Sequence, residues 1–251
     1  MRRGKVLVTG ASKGIGKAIA IALARDGFDL ILWARSEDRL AQVKQQCEEF
    51  GVSAHTQCVD VSQWQMVHEA SAHFAHSEPL AGVVINAGIG VWQPLEKVSI
   101  EQWHETQAVN LNGAFYTLRA TTPGLSRAGN GRVIVIGSDA SVFPFPDRTA
   151  YCASKWGLAG LVESLREELR PSGVSITHLL PSRVDTEFFG SGNTSRKHAL
   201  RAEDVAAITA FIFSLPVHIE IRSLSCASML ETFGPFPAKV VKQDSGPGSK
   251  N

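Results

Sequence analysis

Apolar residues along the chain come in short runs, separated by longer stretches in which they recur every three or four positions. The runs are Lys5–Thr9, Phe28–Trp33, Ala54–Val59, Gly82–Asn86, Arg132–Gly137, Val174–Leu180 and His218–Leu224. Several are apolar almost throughout, as strands covered on both faces must be. Between them, Ile15–Arg25, Ser36–Glu49, Ser62–His76, Ile100–Ala120 and Ala150–Arg170 carry the period of a helix with one buried side. Strands alternating with helices of this length predict an α/β fold, a doubly wound parallel sheet of about seven strands with helices on both faces. Ser36 and Ser62 stand where helix N-caps belong, and Pro171-Ser172-Gly173 stops the helix carrying Leu161, Leu165 and Leu169. Neither repeat nor linker interrupts residues 1–225. The expected organisation is one domain over 1–234, followed by a tail at 235–251 whose Pro, Gly, Ser and Lys content predicts disorder.

Composition narrows the function classes. Apolar residues make up 44% of the 251 and charged residues 20%, a balance that lets a chain of this length build a core without disulfide or metal. Lys and Arg total 25 against 24 Asp and Glu, so nucleic acid and an anionic membrane are not expected as partners. The first apolar run, Val6-Leu7-Val8, is too short for a secretory leader, and nothing approaches a membrane span. A cytoplasmic protein is expected. Cys47, Cys58, Cys152 and Cys226 are far apart and the histidines form no HxxxH or HxH pair, so no metal site is expected.

Candidate chemistry begins where the first strand ends, at Thr9-Gly10-Ala11-Ser12-Lys13-Gly14-Ile15-Gly16. Glycines 10, 14 and 16 allow a sharp turn and let backbone approach a pyrophosphate, while the helix opening at Gly14 offers free N–H groups and a positive dipole end. The same glycines would also serve a plain packed turn, since the spacing is GxxxGxG rather than GxGxxG. The second strand ends Trp33-Ala34-Arg35, with Ala where a carboxylate would grip a ribose 2′-hydroxyl. Arg35 and Lys13 suit a 2′-phosphate instead, and NADP(H) is the expected cofactor. As an alternative, both are solvated surface cations.

Further motifs follow in order: Asp60-Val61, Asn86-Ala87-Gly88, Asn110, Ser138 and Tyr151-Cys152-Ala153-Ser154-Lys155. Together with Thr9–Gly16 they closely resemble the short-chain dehydrogenase/reductase family over about residues 4–186. The resemblance implies a Rossmann-type domain, a nicotinamide cofactor and hydride transfer at a carbonyl or alcohol carbon. It assigns catalysis to Asn110, Ser138, Tyr151 and Lys155. Tyr151 and Lys155, four apart on a helix, share a face, so the ammonium is expected to lower the phenol's pKa and fit it for proton transfer. By resemblance Lys155 also holds the nicotinamide ribose, Ser138 the substrate oxygen, and Asn110 a water leading to Lys155. Asp60 and Val61 fall to the adenine, Asn86 and Gly88 to the turn beside its ribose, and Val184 and Thr186 to the carboxamide. The chain departs from the family pattern at Pro181-Ser182, where Pro-Gly is usual.

The substrate pocket is expected from Ser138–Phe145, Trp92 and the loop Glu187–His198, with Phe143, Phe145, Phe188 and Phe189 as apolar walls and Gly190–Ser195 as a lid. A small-molecule carbonyl or alcohol is the expected substrate. The resemblance implies a homodimer or homotetramer built on the helices at 100–120 and 150–170. Two alternatives stand beside the reductase. One is a nucleotide-binding regulator that turns nothing over. The other is a 3-oxoacyl-carrier-protein reductase, with Arg119, Arg127 and Arg132 as a docking patch for an acidic carrier.

Overall fold

The computed structural model describes residues 3–75, 79–189 and 198–230; the Gly190–Ser195 segment and the 235–251 tail lie outside them. Seven parallel strands form one sheet. They are β1 (Lys5–Thr9), β2 (Asp29–Ala34), β3 (Ala54–Cys58), β4 (Leu80–Ile85), β5 (Arg132–Ile136), β6 (Ser175–Pro181) and, last in the chain, β9 (Ser223–Cys226). Their spatial order is β3-β2-β1-β4-β5-β6-β9. The order reverses between β1 and β4, and the strands' carboxyl ends open a crevice there. A separate two-residue pair joins β7 (Val184–Asp185) to β8 (Leu200–Arg201).

Alternation along each strand feeds two apolar layers. Val6, Val8, Leu30, Leu32, Ile134 and Ile136 face α1 (Gly14–Arg25), α2 (Glu37–Glu48) and α7 (Ala202–Ser214). Leu7, Ile31, Trp33, Val83, Val133 and Val135 face α3 (Trp64–Ala75), α5 (Gly113–Ala128) and α6 (Thr149–Leu169). This double burial is why the strands read as continuous apolar runs. The expected Rossmann-type α/β fold is the observed one.

Local departures have local causes. The expected strand His218–Leu224 forms only at Ser223–Cys226, because the preceding carbonyls are taken elsewhere. The buried Arg132 guanidinium donates to the carbonyls of Leu215, Pro216 and Ile219, and the Glu220 carboxylate accepts from the Ile176 N–H at 3.0 Å. That burial also removes Arg132 from any docking patch. The helix expected over Ile100–Ala120 divides into α4 (Ile100–Gln107), a π-helical turn at Ala108–Asn112, and α5, which runs on to Ala128. Ser36 sits at an N-cap without capping through its side chain, and Ser62 instead donates to Asp60 at 2.7 Å, two residues before α3 begins.

Candidate active site

The glycine loop is held by cross-strand hydrogen bonds. Thr9 Oγ1 accepts from the N–H groups of Asn86 and Ala87, at 2.9 and 3.1 Å. Asn86 Nδ2 donates back to the carbonyls of Thr9 and Gly10, at 3.0 and 3.3 Å. The ends of β1 and β4 are thus locked together. Gly10 takes φ 64°, which disfavours any side chain, and at Gly16 a Cβ would run into the Gly10 carbonyl and the Asn86 amide. Lys13 at the N-cap of α1 makes no capping bond through its side chain, so the first-turn N–H groups stay available to an anion. A glycine cradle and an uncapped helix start at the sheet's switch point fit a dinucleotide pyrophosphate.

From this loop a cleft of about 480 Å³ crosses the carboxyl ends of the strands to Tyr151. Of the expected residues, Gly10, Ser12, Lys13, Gly14, Ile15, Arg35, Asp60, Val61, Asn86, Gly88, Ser138, Tyr151, Lys155, Val184 and Thr186 line it. Gly16 and Asn110 stand behind the wall. Asn110 Oδ1 accepts from the Ile89 N–H at 2.8 Å, and Nδ2 donates to the Ile89 carbonyl and to Ser154 Oγ, each at 2.9 Å. Both amide hydrogens are therefore used within the protein. The side chain clamps the segment after β4 against α6, and the π-helical turn that carries it makes that reach possible.

Cations gather at one end of the cleft. Arg35 lies exposed after Ala34, while Lys13 Nζ and Arg39 each approach Glu187 Oε2, at 3.5 and 2.9 Å. Arg39 and Glu187 were not singled out as cofactor contacts from the sequence. Arg39 lies in the first turn of α2, four positions beyond Arg35, and that closeness in sequence is the available signal.

The opposite end holds the reactive groups. Ser138 follows β5; its hydroxyl donates to Asp139 Oδ1 at 2.8 Å and accepts from the Ala140 N–H at 3.2 Å. Ser182 Oγ donates to Asp139 Oδ2 at 3.3 Å, so the serine at the departing Pro-Gly position braces the Ser138 turn. Ser182 is not among the residues with positive φ, so its turn does not require glycine. Asp139, buried and braced from two sides, is a further residue that sequence reasoning missed.

Tyr151 and Lys155 share the inner face of α6, with Nζ 5.7 Å from the phenol ring centroid. Burial pushes the Tyr151 hydroxyl up to about 12, only partly offset by its hydrogen bond with Ser138 and by the Arg148 charge. Burial also pushes Lys155 down to about 8. The expected lowering of the tyrosine by the lysine is therefore reversed. Nζ donates to the Ile136 carbonyl at 3.0 Å, and the low-dielectric surroundings penalise both charged forms. Trp92 meets the Tyr151 ring edge-on at 4.9 Å and Phe188 lies 6.1 Å away, so these two supply the aromatic wall. Phe143 and Phe145 do not line the cleft, and the Phe145 ring instead supports Arg148. The Phe189 side chain lies outside the described residues. Among the described residues no group of three metal-ligating side chains occurs, and no helix is long and apolar enough to cross a membrane.

The comparisons agree with this arrangement. The short chain dehydrogenase family profile matches residues 4–197. An alcohol dehydrogenase from the archaeon Thermococcus sibiricus, solved with 5-hydroxy-NADP, superposes with a TM-score of 0.85 at 35% identity, over 90% of this chain and 96% of that one. Sulfoacetaldehyde reductase 2 of Chromohalobacter salexigens is 30% identical over 92% of this chain and 96% of its own length. Glycine betaine reductase ATRR of Emericella nidulans is 32% identical over 88% of this chain, which spans only 18% of that longer protein. A glycine-cradled cleft ending in Ser138, Tyr151 and Lys155, on a sheet of this order, has one consistent assignment: the chain belongs to the short-chain dehydrogenase family, an oxidoreductase family.

Proposed function

We propose that the protein is an NADPH-dependent oxidoreductase that reduces a small or medium carbonyl compound to an alcohol. The observation that carries this reading is one continuous cleft with the glycine cradle and cations at one end and Ser138, Tyr151 and Lys155 at the other. Reduced nicotinamide, when bound, supplies a hydride to the carbonyl carbon. The remaining work falls to the chain. Ser138 steadies the substrate oxygen, and Tyr151 donates the proton that the oxygen takes up as hydride arrives. Burial keeps the phenol protonated at neutral pH, the state a proton donor needs. Lys155 anchors the nicotinamide end of the cleft and carries its charge within a physiological proton-exchange range. Asn110, Asp139 and Ser182 position these groups from behind. Holding both reactants in one cleft turns an encounter into an oriented reaction.

The cofactor choice is supported by Arg35, which pairs with no carboxylate among the described residues, and by the absence of an acidic side chain at Ala34. Relatives named as NADP complexes or as aldehyde reductases point the same way. Exposed Phe115 on α5 and Trp156 on α6 support a homodimer or homotetramer. The decisive experiment is a fluorescence titration of NADPH and NADH on the wild type and on Arg35→Ala, followed by turnover of a carbonyl panel. An NADPH preference that collapses in the variant is expected. Equal binding of both cofactors, unchanged by the substitution, would sink the NADP assignment, and cofactor binding with no turnover across a broad panel would sink the reductase.

A further inference from the structure

Beside Tyr151 the cleft wall carries a cation, Arg148, to which the proposed function gives no contact with cofactor or substrate. Arg148 holds the N-cap position of α6, three residues before Tyr151, and both residues line the cleft. Its guanidinium lies over two aromatic rings, 4.9 Å from the Trp92 centroid and 4.7 Å from that of Phe145. The same Trp92 packs edge-on against the Tyr151 ring, so arginine, indole and phenol form one continuous wall of the reaction site. Among the described residues no carboxylate pairs with Arg148. An arginine held over ring faces keeps its in-plane N–H donors for an oxygen ligand, in the fork that matches a carboxylate or sulfonate. The residue before it, Asp147, takes φ 58°, a conformation rare for a side-chain-bearing residue, and its carbonyl accepts from the Gln93 N–H at 2.9 Å. The chain entering α6 is thereby tied to the segment that carries Trp92.

We infer that Arg148 binds an anionic group on the substrate, so that the carbonyl compounds reduced here are short oxo acids or oxo sulfonates rather than neutral ketones or aldehydes. This rests on the reductase reading and deepens it. The Arg148 charge is felt at the Tyr151 hydroxyl, so a short substrate can set its carbonyl at one and its anion at the other. The anion stays in place throughout. Hydride still goes to the carbonyl carbon, the proton from Tyr151 goes to its oxygen, and no bond to the acid group forms or breaks. Such a contact acts in the bound substrate and in the transition state alike, so it lowers KM more than it raises kcat.

The test compares succinate semialdehyde with its methyl ester, with NADPH, in the wild type, Arg148→Gln and Arg148→Lys. The wild type should favour the acid over the ester in kcat/KM by about 10- to 100-fold, mostly through KM, as charge-assisted hydrogen bonds to one anion imply. Arg148→Gln should bring that ratio near unity, and Arg148→Lys should restore part of it. Because the ratio is taken within each variant, a general loosening of the aromatic wall lowers both rates and leaves it unmoved. A wild-type ratio near or below unity overturns the inference, as does a ratio that survives in Arg148→Gln. Should neither compound turn over, the reductase reading fails separately. Calorimetric titration of butanesulfonate into the NADPH-loaded protein then decides the point: binding lost in Arg148→Gln supports the anion site, and no binding to the wild type overturns it.

Discussion

Lys155 is held in the folded protein at a cost that pH should reveal. Its side chain is only 5% exposed, and burial brings its pKa from 10.5 to about 8. Below about pH 8 the lysine is charged in both folded and unfolded chains, and the folded state bears the full desolvation penalty. Between 8 and 10.5 the folded state sheds the proton while the unfolded state keeps it, so stability rises with pH. Above 10.5 both are neutral and the penalty is gone. The whole gap corresponds to roughly 3 kcal/mol, of which about 2 kcal/mol falls between pH 7 and 9.5. Lys155→Met keeps the length of the side chain and removes the proton. It also removes the bond to the Ile136 carbonyl, but a neutral amine can donate that bond as well, so its loss shifts the comparison by a roughly constant amount. Urea unfolding of the cofactor-free wild type and variant should therefore show the wild type gaining about 2 kcal/mol on the variant from pH 7 to 9.5. Tyr151 and the buried Cys47 thiol, pushed up to about 12 and about 11, titrate in both proteins and cancel to first order. A difference constant within about 0.5 kcal/mol across that range would refute the reasoning, since the desolvated ammonium would then carry no penalty.

Two further predictions concern the scaffold that aims the site. Arg132→Met leaves the carbonyls of Leu215, Pro216 and Ile219 without their donor, and should lower unfolding free energy in urea by about 3 kcal/mol with an unchanged m-value; a loss below about 1 kcal/mol would mean that solvent already serves those carbonyls. Thr9→Val strands the N–H groups of Asn86 and Ala87 and should cost about 2–4 kcal/mol while weakening NADPH binding; Thr9→Ser should retain both properties, and a valine variant that binds NADPH as tightly as the wild type would disprove the coupling of this hydroxyl to the glycine loop.

Much of the site could be read from the chain because its parts are local. Thr9–Gly16 is a single turn between one strand and one helix, and Tyr151 and Lys155 need only four residues of helix to face the same way. Their requirements, glycine for close approach and a shared helix face, are written in consecutive residues. The pairing of Arg39 with Glu187 exists only in three dimensions, because the two lie 148 positions apart. The brace on Asp139 is likewise tertiary, since Ser182, just after β6, donates to its second oxygen. The end of the sheet departs from the expected strand for a similar reason: His218, Glu220 and Arg222 alternate as a strand should, but Arg132 and Glu220 tie that segment by hydrogen bonds to other elements.

Periodicity and motif order were enough to establish the layered α/β fold and to put the glycine turn after the first strand and Tyr151 and Lys155 on one helix. Packing alone settled the electrostatic state of that pair. Nothing in the spacing of Tyr151 and Lys155 reveals that both are buried, and desolvation is the main cause that pushes the phenol up and the ammonium down. The reshaped helix at Asn110 and the aromatic bed of Arg148 belong to the same class. Each depends on contacts between segments that folding brings together, and such contacts leave no period in the sequence.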